Sequence, residues 1–87
     1  GIDMAKLAKL IEQILLGRSD ANIGFDELCQ ILTSLGFSQR TRGSHHIFSH
    51  PDVLELINLQ RDGGKAKPYQ VRQVRAIILQ YKLGAEE

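Results

Sequence analysis

The sequence contains a single cysteine, Cys29, and its apolar stretches never exceed a few residues. One cysteine excludes an internal disulfide and favours a reducing, cytoplasmic setting. Without a long apolar run, the sequence predicts neither a transmembrane helix nor a signal peptide, and no membrane association is expected. Because Cys29 lies inside an amphipathic pattern, we interpret it as a small packed side chain rather than a reactive thiol.

Several common catalytic signatures are also missing. The Gly63-Gly64-Lys65 stretch lacks the spacing of a Walker loop and the serine or threonine that follows its lysine, which argues against nucleotide hydrolysis. No Gly-x-Ser-x-Gly pattern surrounds Ser44, so we interpret Ser44 as a turn residue and not as a nucleophile. The acidic residues are scattered along the chain, so no paired-carboxylate site is predicted.

The sequence does contain a cluster of basic residues in its middle part. The 87 residues fit one domain, and their formal net charge is only +1. Most of the positive charge nevertheless falls between residues 37 and 75, where a polyanion would meet the chain. A solvated basic surface without a partner explains this charge equally well. The basic residues of this stretch are Arg40, Arg42, Arg61, Lys65, Lys67, Arg72 and Arg75.

Hydrophobic periodicity predicts an α+β fold in the order α-α-β-β-β-α, with helices on one face of a three-stranded antiparallel sheet. Asp26 is a candidate N-cap for the second helix, because its carboxylate can accept from backbone N–H groups of the first turn. The predicted elements are helices over residues 4–16 and 26–35, strands over 37–42, 45–49 and 53–59, a flexible basic loop over 61–67, and a helix from Pro68 that stops at Gly84.

The predicted domain spans residues 4–87. Gly1-Ile2-Asp3 precede Met4 and are interpreted as a remnant of an expression tag, outside the fold.

The segment from Gly43 to Pro51 contains all three histidines of the chain. Phe48 is the strongest candidate to pack beneath the helices, which places His45 on the open face of the sheet beside a glycine turn. A one-residue slip in register would exchange the two faces. In the predicted strand, one face carries His45, Ile47 and Ser49, and the other carries His46, Phe48 and His50.

An exposed histidine in a basic field suits RNA cleavage. The RNA 2′-OH must lose a proton as it attacks the adjacent phosphate, and histidine titrates near the working pH. Arginine and lysine can stabilise the charge that builds on the phosphoryl oxygens. Since the RNA supplies the nucleophile, this chemistry requires no metal or cofactor. The residues predicted to bind RNA are Arg40, Arg42, Ser44, Lys65, Lys67, Arg72 and Arg75.

Other hypotheses remain open at this point. His45 can be an ordinary surface residue, and the chain a non-catalytic RNA-binding module or a protein-interaction domain. Tyr69 can stack on a base or pack locally. Zinc binding competes as well, although adjacent histidines on a strand point to opposite sides and rarely share one metal. The zinc ligands in that case would be drawn from His45, His46, His50 and Asp52.

The run from Gly43 to Pro51, preceded by Leu35-Gly36-Phe37 and followed by a basic helix, resembles the signature of the HicA toxins over residues 25–84. The resemblance implies a fold like that of a double-stranded-RNA-binding domain and a ribonuclease that cleaves mRNA without metal. It also implies a HicB antitoxin as partner, which covers the active histidine. The family histidine that follows glycine and serine falls on His45, and His46 is the reserve.

The sequence departs from the family pattern in three places. The predicted helix over residues 4–17 is additional to the compact family core. The family often ends its third strand with proline, a variable residue and histidine, whereas this chain has Asn58-Leu59-Gln60. Gln60 cannot titrate near neutrality, so acid–base help from that position is absent. Residues 67–75 are also more polar and basic than in a typical member.

Overall fold

The computed structural model describes residues 3–84. These form an α+β fold, as predicted, with a four-stranded antiparallel sheet in the order β1-β2-β3-β4. The elements are α1 (Met4–Leu16), a short 3-10 helix (Asp20–Asn22), α2 (Phe25–Ser34), β1 (Ser38–Arg42), β2 (His45–His50), β3 (Val53–Asp62), β4 (Lys65–Ala66) and α3 (Pro68–Tyr81).

The prediction of three strands is wrong because the basic loop expected over residues 61–67 is a second hairpin. Strand β3 continues to Asp62, which pairs with Lys65 across the Gly63-Gly64 turn, and Arg61 pairs with Ala66. A strand of two residues is too short to show alternation of apolar and polar side chains. Its pairing with β3 therefore comes from the turn and not from a pattern within β4.

The prediction that Asp26 caps α2 is also wrong. Gly24 is the N-cap, and Asp26 lies in the first turn. Phe25 is buried in the core, and its backbone N–H donates to the carbonyl oxygen of Gly64 at 3.0 Å. The second hairpin thus fixes where α2 begins, and it supplies a backbone acceptor in place of a side-chain cap.

Helices cover one face of the sheet, as predicted. Along β3, Ile57 and Leu59 are buried, whereas Leu54 and Leu56 on the alternate positions are exposed. Phe48 of β2 is fully buried as well, which confirms the predicted register of that strand. The apolar periodicity of the second and third helices predicts six further core residues, and all of them are buried except Leu35, which is half-buried at the core edge. The buried ones are Leu28, Leu32, Val74, Ile77 and Ile78.

Helix α1 packs on this core through Leu7 and Ile14. It ends at Leu16, as the glycine that follows the apolar pattern predicts, and Gly17 is its C-cap with a φ of 70°. Asp3, which sequence reasoning left outside the fold, is its N-cap: the carboxylate accepts from the N–H of Lys6 at 2.8 Å.

Helix α3 ends at Tyr81 and not at Gly84, with Lys82 in the left-handed conformation. No helix within residues 3–84 is long and apolar enough to cross a membrane.

Candidate active site

The β1–β2 hairpin places His45 at the end of the sheet. Gly43 is the first of two turn residues and has a φ of 58°, the conformation that a tight hairpin turn requires at this position. The turn sets Arg42 directly opposite His45. His45 is exposed and Phe48 is buried, so His45 lies on the open face of the sheet, as predicted.

The open face, called the outer face below, carries two rows of side chains around His45. Directly opposed residues of antiparallel strands point to the same face. The first row is Arg42, His45 and Gln60, and the second is Arg40, Ile47 and Asn58. His45 therefore has guanidinium groups on its β1 side and side-chain amides on its β3 side.

Asn58 holds the His45 ring. Nδ1 of His45 lies 3.1 Å from Oδ1 of Asn58. A carbonyl oxygen only accepts hydrogen bonds, so this contact favours the neutral tautomer with the hydrogen on Nδ1, in which Nε2 is the acceptor nitrogen. This is the tautomer in which Nε2 can take a proton from a substrate hydroxyl.

Gln60 joins three elements next to His45. Its side-chain Nε2 donates to Oγ of Ser44 in the β1–β2 turn at 3.3 Å. Its backbone faces the side-chain amide of Gln70 in α3. In the amide orientation that satisfies both groups, Gln70 donates to the Gln60 carbonyl oxygen at 3.3 Å and accepts from the Gln60 N–H at 3.1 Å. Strand β4 pairs with Arg61 and Asp62 and not with Gln60. The Gln70 amide therefore binds the backbone groups of Gln60 that a neighbouring strand would otherwise bind.

An open cleft of about 280 Å³ lies between the outer face and the start of α3. Tyr69, on the first turn of α3, is 56% exposed at this cleft. Apart from His45 and Tyr69, the lining has no ionisable side chain. The cleft is lined by His45, Leu56, Asn58, Gln60, Tyr69, Gln70 and Gln73.

The structure divides the residues predicted to bind RNA into two groups. Arg40, Arg42 and Ser44 lie with His45, on the outer face and in its turn. The others lie around the second hairpin and α3: Lys65 donates to Oδ1 of Asn22 at 3.1 Å, Lys67 is the N-cap of α3, Arg72 is exposed, and Arg75 is bound to Asp20.

The guanidinium of Arg75 binds within the fold. It donates to both carboxylate oxygens of Asp20, at 2.9 and 3.1 Å, and to the carbonyl oxygen of Ile14 at 3.1 Å. The hydrogen bonds from Arg75 lower the pKa of Asp20, with smaller contributions from the positive charges of Arg75 and Arg72. Arg75 thus connects α3 to the end of α1 and to the 3-10 helix, and the structure does not bring it to His45.

His46 and His50 lie on the inner face. His46 packs edge-on against Phe25, with 4.9 Å between ring centroids, and its Nδ1 contacts Nε2 of Gln39 at 2.8 Å. His50 accepts from the Asp52 N–H through Nδ1 at 3.0 Å and donates to the Leu35 carbonyl oxygen through Nε2 at 3.1 Å.

The three histidines therefore do not converge. Among residues 3–84, no three histidine, cysteine, aspartate or glutamate side chains are grouped as metal ligands.

Cys29 behaves as a packed side chain. It is half-buried against the core, and burial, followed by the nearby charge of Asp26, raises the pKa of its thiol to about 11. A thiol with this pKa is protonated near neutrality and is a poor nucleophile.

Sequence reasoning missed Asn58 and Gln73 as site residues and left Tyr69 undecided. The contact between Asn58 and His45 depends on the register of β2 against β3, which no local pattern reports. Gln73 was detectable, because it lies four residues after Tyr69 and so shares its side of α3.

A comparison with protein-family models matches residues 25–81 to the HicA toxin of bacterial toxin-antitoxin systems. The match covers α2, the whole sheet and α3, well over half of the chain, and leaves α1 outside. Comparisons with curated proteins and with solved structures gave no match.

Proposed function

The chain belongs to the HicA toxin family, and from this membership and the surroundings of His45 we propose that it is a toxin endoribonuclease that cleaves mRNA. One observation carries the proposal. His45 is exposed on the outer face, with Asn58 holding Nδ1 and the guanidinium-bearing Arg42 directly opposite.

In the proposed reaction, Nε2 of His45 takes the proton of an RNA 2′-OH. The 2′-oxygen then bonds to the adjacent phosphorus while the bond from phosphorus to the 5′-oxygen breaks, giving a 2′,3′-cyclic phosphate and a 5′-hydroxyl. Arg42 and Arg40 stabilise the charge on the phosphoryl oxygens. The departing 5′-oxygen takes its proton from water, because the amide of Gln60 opposite His45 cannot titrate. No step requires a metal or a cofactor.

We further propose that a HicB-type antitoxin neutralises the toxin by covering the outer face. Leu54 and Leu56 on this face of β3 are 92% and 58% exposed. Exposed apolar side chains grouped on one sheet face are typical of a surface that a protein partner covers. An antitoxin bound there would block access to His45.

The part matched to the family has the order α2, β1, β2, β3, α3 with β4 inserted before the last helix. We propose that this core is related to the double-stranded-RNA-binding domain, in which two helices lie on one face of a three-stranded antiparallel sheet. The two-residue β4 is then a local addition at the edge of β3.

A non-catalytic RNA-binding module is the second candidate. Gln60 favours it, since this amide stands directly opposite His45, at the position where the resemblance to the family leads one to expect a histidine. Such a module would bind RNA through the same arginines and leave it intact.

A cleavage assay with purified protein on mRNA, run beside a growth assay, tests the proposal. We expect His45→Ala to lower cleavage at least about a hundredfold, the usual contribution of a general base, and to abolish growth inhibition. His45→Gln should be nearly as inactive, because glutamine hydrogen-bonds but does not titrate in this range. The products of the wild type should end in 2′,3′-cyclic phosphate, and cleavage should persist in EDTA.

Ser49→Ala is the matched control. Ser49 is an exposed residue of β2 and, four positions after His45, it lies on the same face of the strand. It should cut as the wild type does. Full activity of His45→Ala would remove His45 from the mechanism and turn attention to His46 on the inner face. Loss of activity in EDTA would contradict the metal-free mechanism, and a wild type that binds RNA without cutting it would favour the binding module.

A further inference from the structure

The two sides of His45 differ in chemistry. On the β1 side, the neighbouring side chains of the outer face are the guanidinium groups of Arg42 and Arg40. On the other side, the cleft next to α3 is lined by amides, a tyrosine and a leucine. Arginine suits a phosphate, whereas a neutral lining with amide donors and acceptors suits a nucleobase.

Most of the amides in the cleft already have partners. Asn58 accepts from His45, Gln60 donates to Ser44, and Gln70 binds the backbone of Gln60. Gln73 is exposed, and its side-chain amide makes no hydrogen bond within residues 3–84. Its donor and acceptor are therefore available to a ligand.

Tyr69 precedes Gln73 by one helical turn, so both side chains lie on the same side of α3. The Tyr69 ring is 56% exposed at the cleft. An exposed aromatic ring is a stacking platform for a base, and an amide one turn away can reach the edge of the base that stacks on it. The cleft volume of about 280 Å³ lies just below the range of about 300–1,000 Å³ usual for larger ligands.

We propose that this cleft binds one RNA base beside the scissile phosphate, stacked on Tyr69 and read by Gln73, and that it favours adenine. The preference follows from the amide, which donates to N7 and accepts from the N6 amino group of adenine in a bidentate contact. With the base in the cleft, the phosphate extends toward Arg42 and passes His45. This inference rests on the proposed function, because it assumes that RNA is the substrate.

Binding in a His45→Ala background tests the inference without requiring cleavage. The probes are short fluorescent oligoribonucleotides that contain only adenine, only cytosine or only uracil. We expect the adenine probe to bind most tightly, and Tyr69→Ala to weaken its binding roughly five- to hundredfold, as expected for loss of one stacked base. Tyr69→Phe should bind as the parent does, since it keeps the ring.

Gln73→Glu provides a second, independent measurement. A carboxylate accepts from the N4 amino group of cytosine, so the preference should shift from the adenine probe toward the cytosine probe. Leu79→Ala is the control, because Leu79 is exposed on α3 but does not line the cleft. Thermal melting of each variant separates loss of binding from loss of fold.

Equal binding of the three probes, or unchanged binding by both Tyr69→Ala and Gln73→Glu, would overturn the inference. Cleavage by the wild type would still support the proposed function in that case. Conversely, a wild type that never cuts RNA but shows the expected binding pattern would contradict the ribonuclease and leave the base-binding cleft intact.

Discussion

At the scale of single residues, the property of His45 on which the proposed reaction depends is its tautomer. A free imidazole exchanges its hydrogen between the two ring nitrogens, and only the form with an unprotonated Nε2 facing the substrate can act as the base. The contact with Oδ1 of Asn58 favours this form. We therefore propose Asn58 as a positioning residue, which would act on the proposed reaction through His45.

Asn58→Leu should lower cleavage roughly tenfold, the effect expected from losing one hydrogen bond, while RNA affinity changes little. Asn58→Asp should retain more activity, because a carboxylate oxygen also accepts from Nδ1. The decisive measurement is the ¹⁵N spectrum of His45, where Asn58→Leu should increase the Nε2–H tautomer. An unchanged tautomer population would show that Asn58 does not orient the ring.

At the scale of elements, the pair formed by Asp20 and Arg75 connects the additional helix α1 to the family core. Both side chains are mostly shielded, with 18% and 20% of their surfaces exposed. Arg75 also binds the carbonyl oxygen of Ile14, close to where α1 ends. The sequence prediction grouped Arg75 with Arg72 as an RNA contact, but a charge reversal at Arg75 would disturb the fold as well.

We expect Arg75→Ala to lower the free energy of unfolding by about 1.5–3 kcal/mol, the range for hydrogen bonds to charged groups. Denaturant unfolding at neutral pH measures the change. Arg72→Ala is the matched control, since Arg72 is exposed on the same helix and should cost little stability. Equal stability of Arg75→Ala and the wild type would contradict the structural role of the pair.

The same pair makes stability depend on pH in a defined direction. Because the folded-state pKa of Asp20 is lowered from 3.8, its ionised form stabilises the fold fully above about pH 4. This contribution is lost as the pH falls through the folded-state value. The stability difference between the wild type and Asp20→Asn should therefore shrink as the pH is lowered below about 4.

At the scale of the whole molecule, one face of the sheet is packed in the core and the other is exposed to solvent. The inner face packs against the helices through Phe48, Ile57 and Leu59. The outer face keeps its arginines and His45 accessible. The basic residues between positions 37 and 75 are therefore spread over different parts of the surface, and only some of them lie next to His45.

Binding of RNA to the outer face should depend on Arg40 and Arg42. With cleavage removed by His45→Ala, changing both arginines to glutamate should weaken binding and lower the dependence of log affinity on log salt by about 0.7 for each lost phosphate contact. Lys9→Glu is the control, because Lys9 is exposed on α1 outside the family match. An unchanged salt dependence would show that RNA binds elsewhere.

Much of this architecture follows from local sequence. The apolar periodicity of α1, α2 and α3 and the glycine after α1 were sufficient to place three helices, and the alternation around Phe48 placed His45 on the outer face. These features are local because a helix or a strand reports its buried face through spacing within a few residues. The order of the elements other than β4 came from the same short-range patterns. The choice of His45 as the candidate base came from the resemblance of the run from Gly43 to Pro51 to the HicA signature.

Other features were decided only by tertiary contacts. Strand β4 exists because its two residues pair with β3. The start of α2 at Phe25 is fixed by a backbone acceptor from Gly64, which lies 39 residues later in the chain. The packing of α3 against the 3-10 helix brings Arg75 into hydrogen-bond contact with Asp20. The register of β2 against β3 determined that Asn58 is the hydrogen-bond partner of His45. The sequence itself determined which residue types are present and which side of each helix or strand is buried, because propensity and periodicity act locally. Which side chains meet depends on long-range pairing, and that pairing is stabilised only when the whole sheet and its helices pack together.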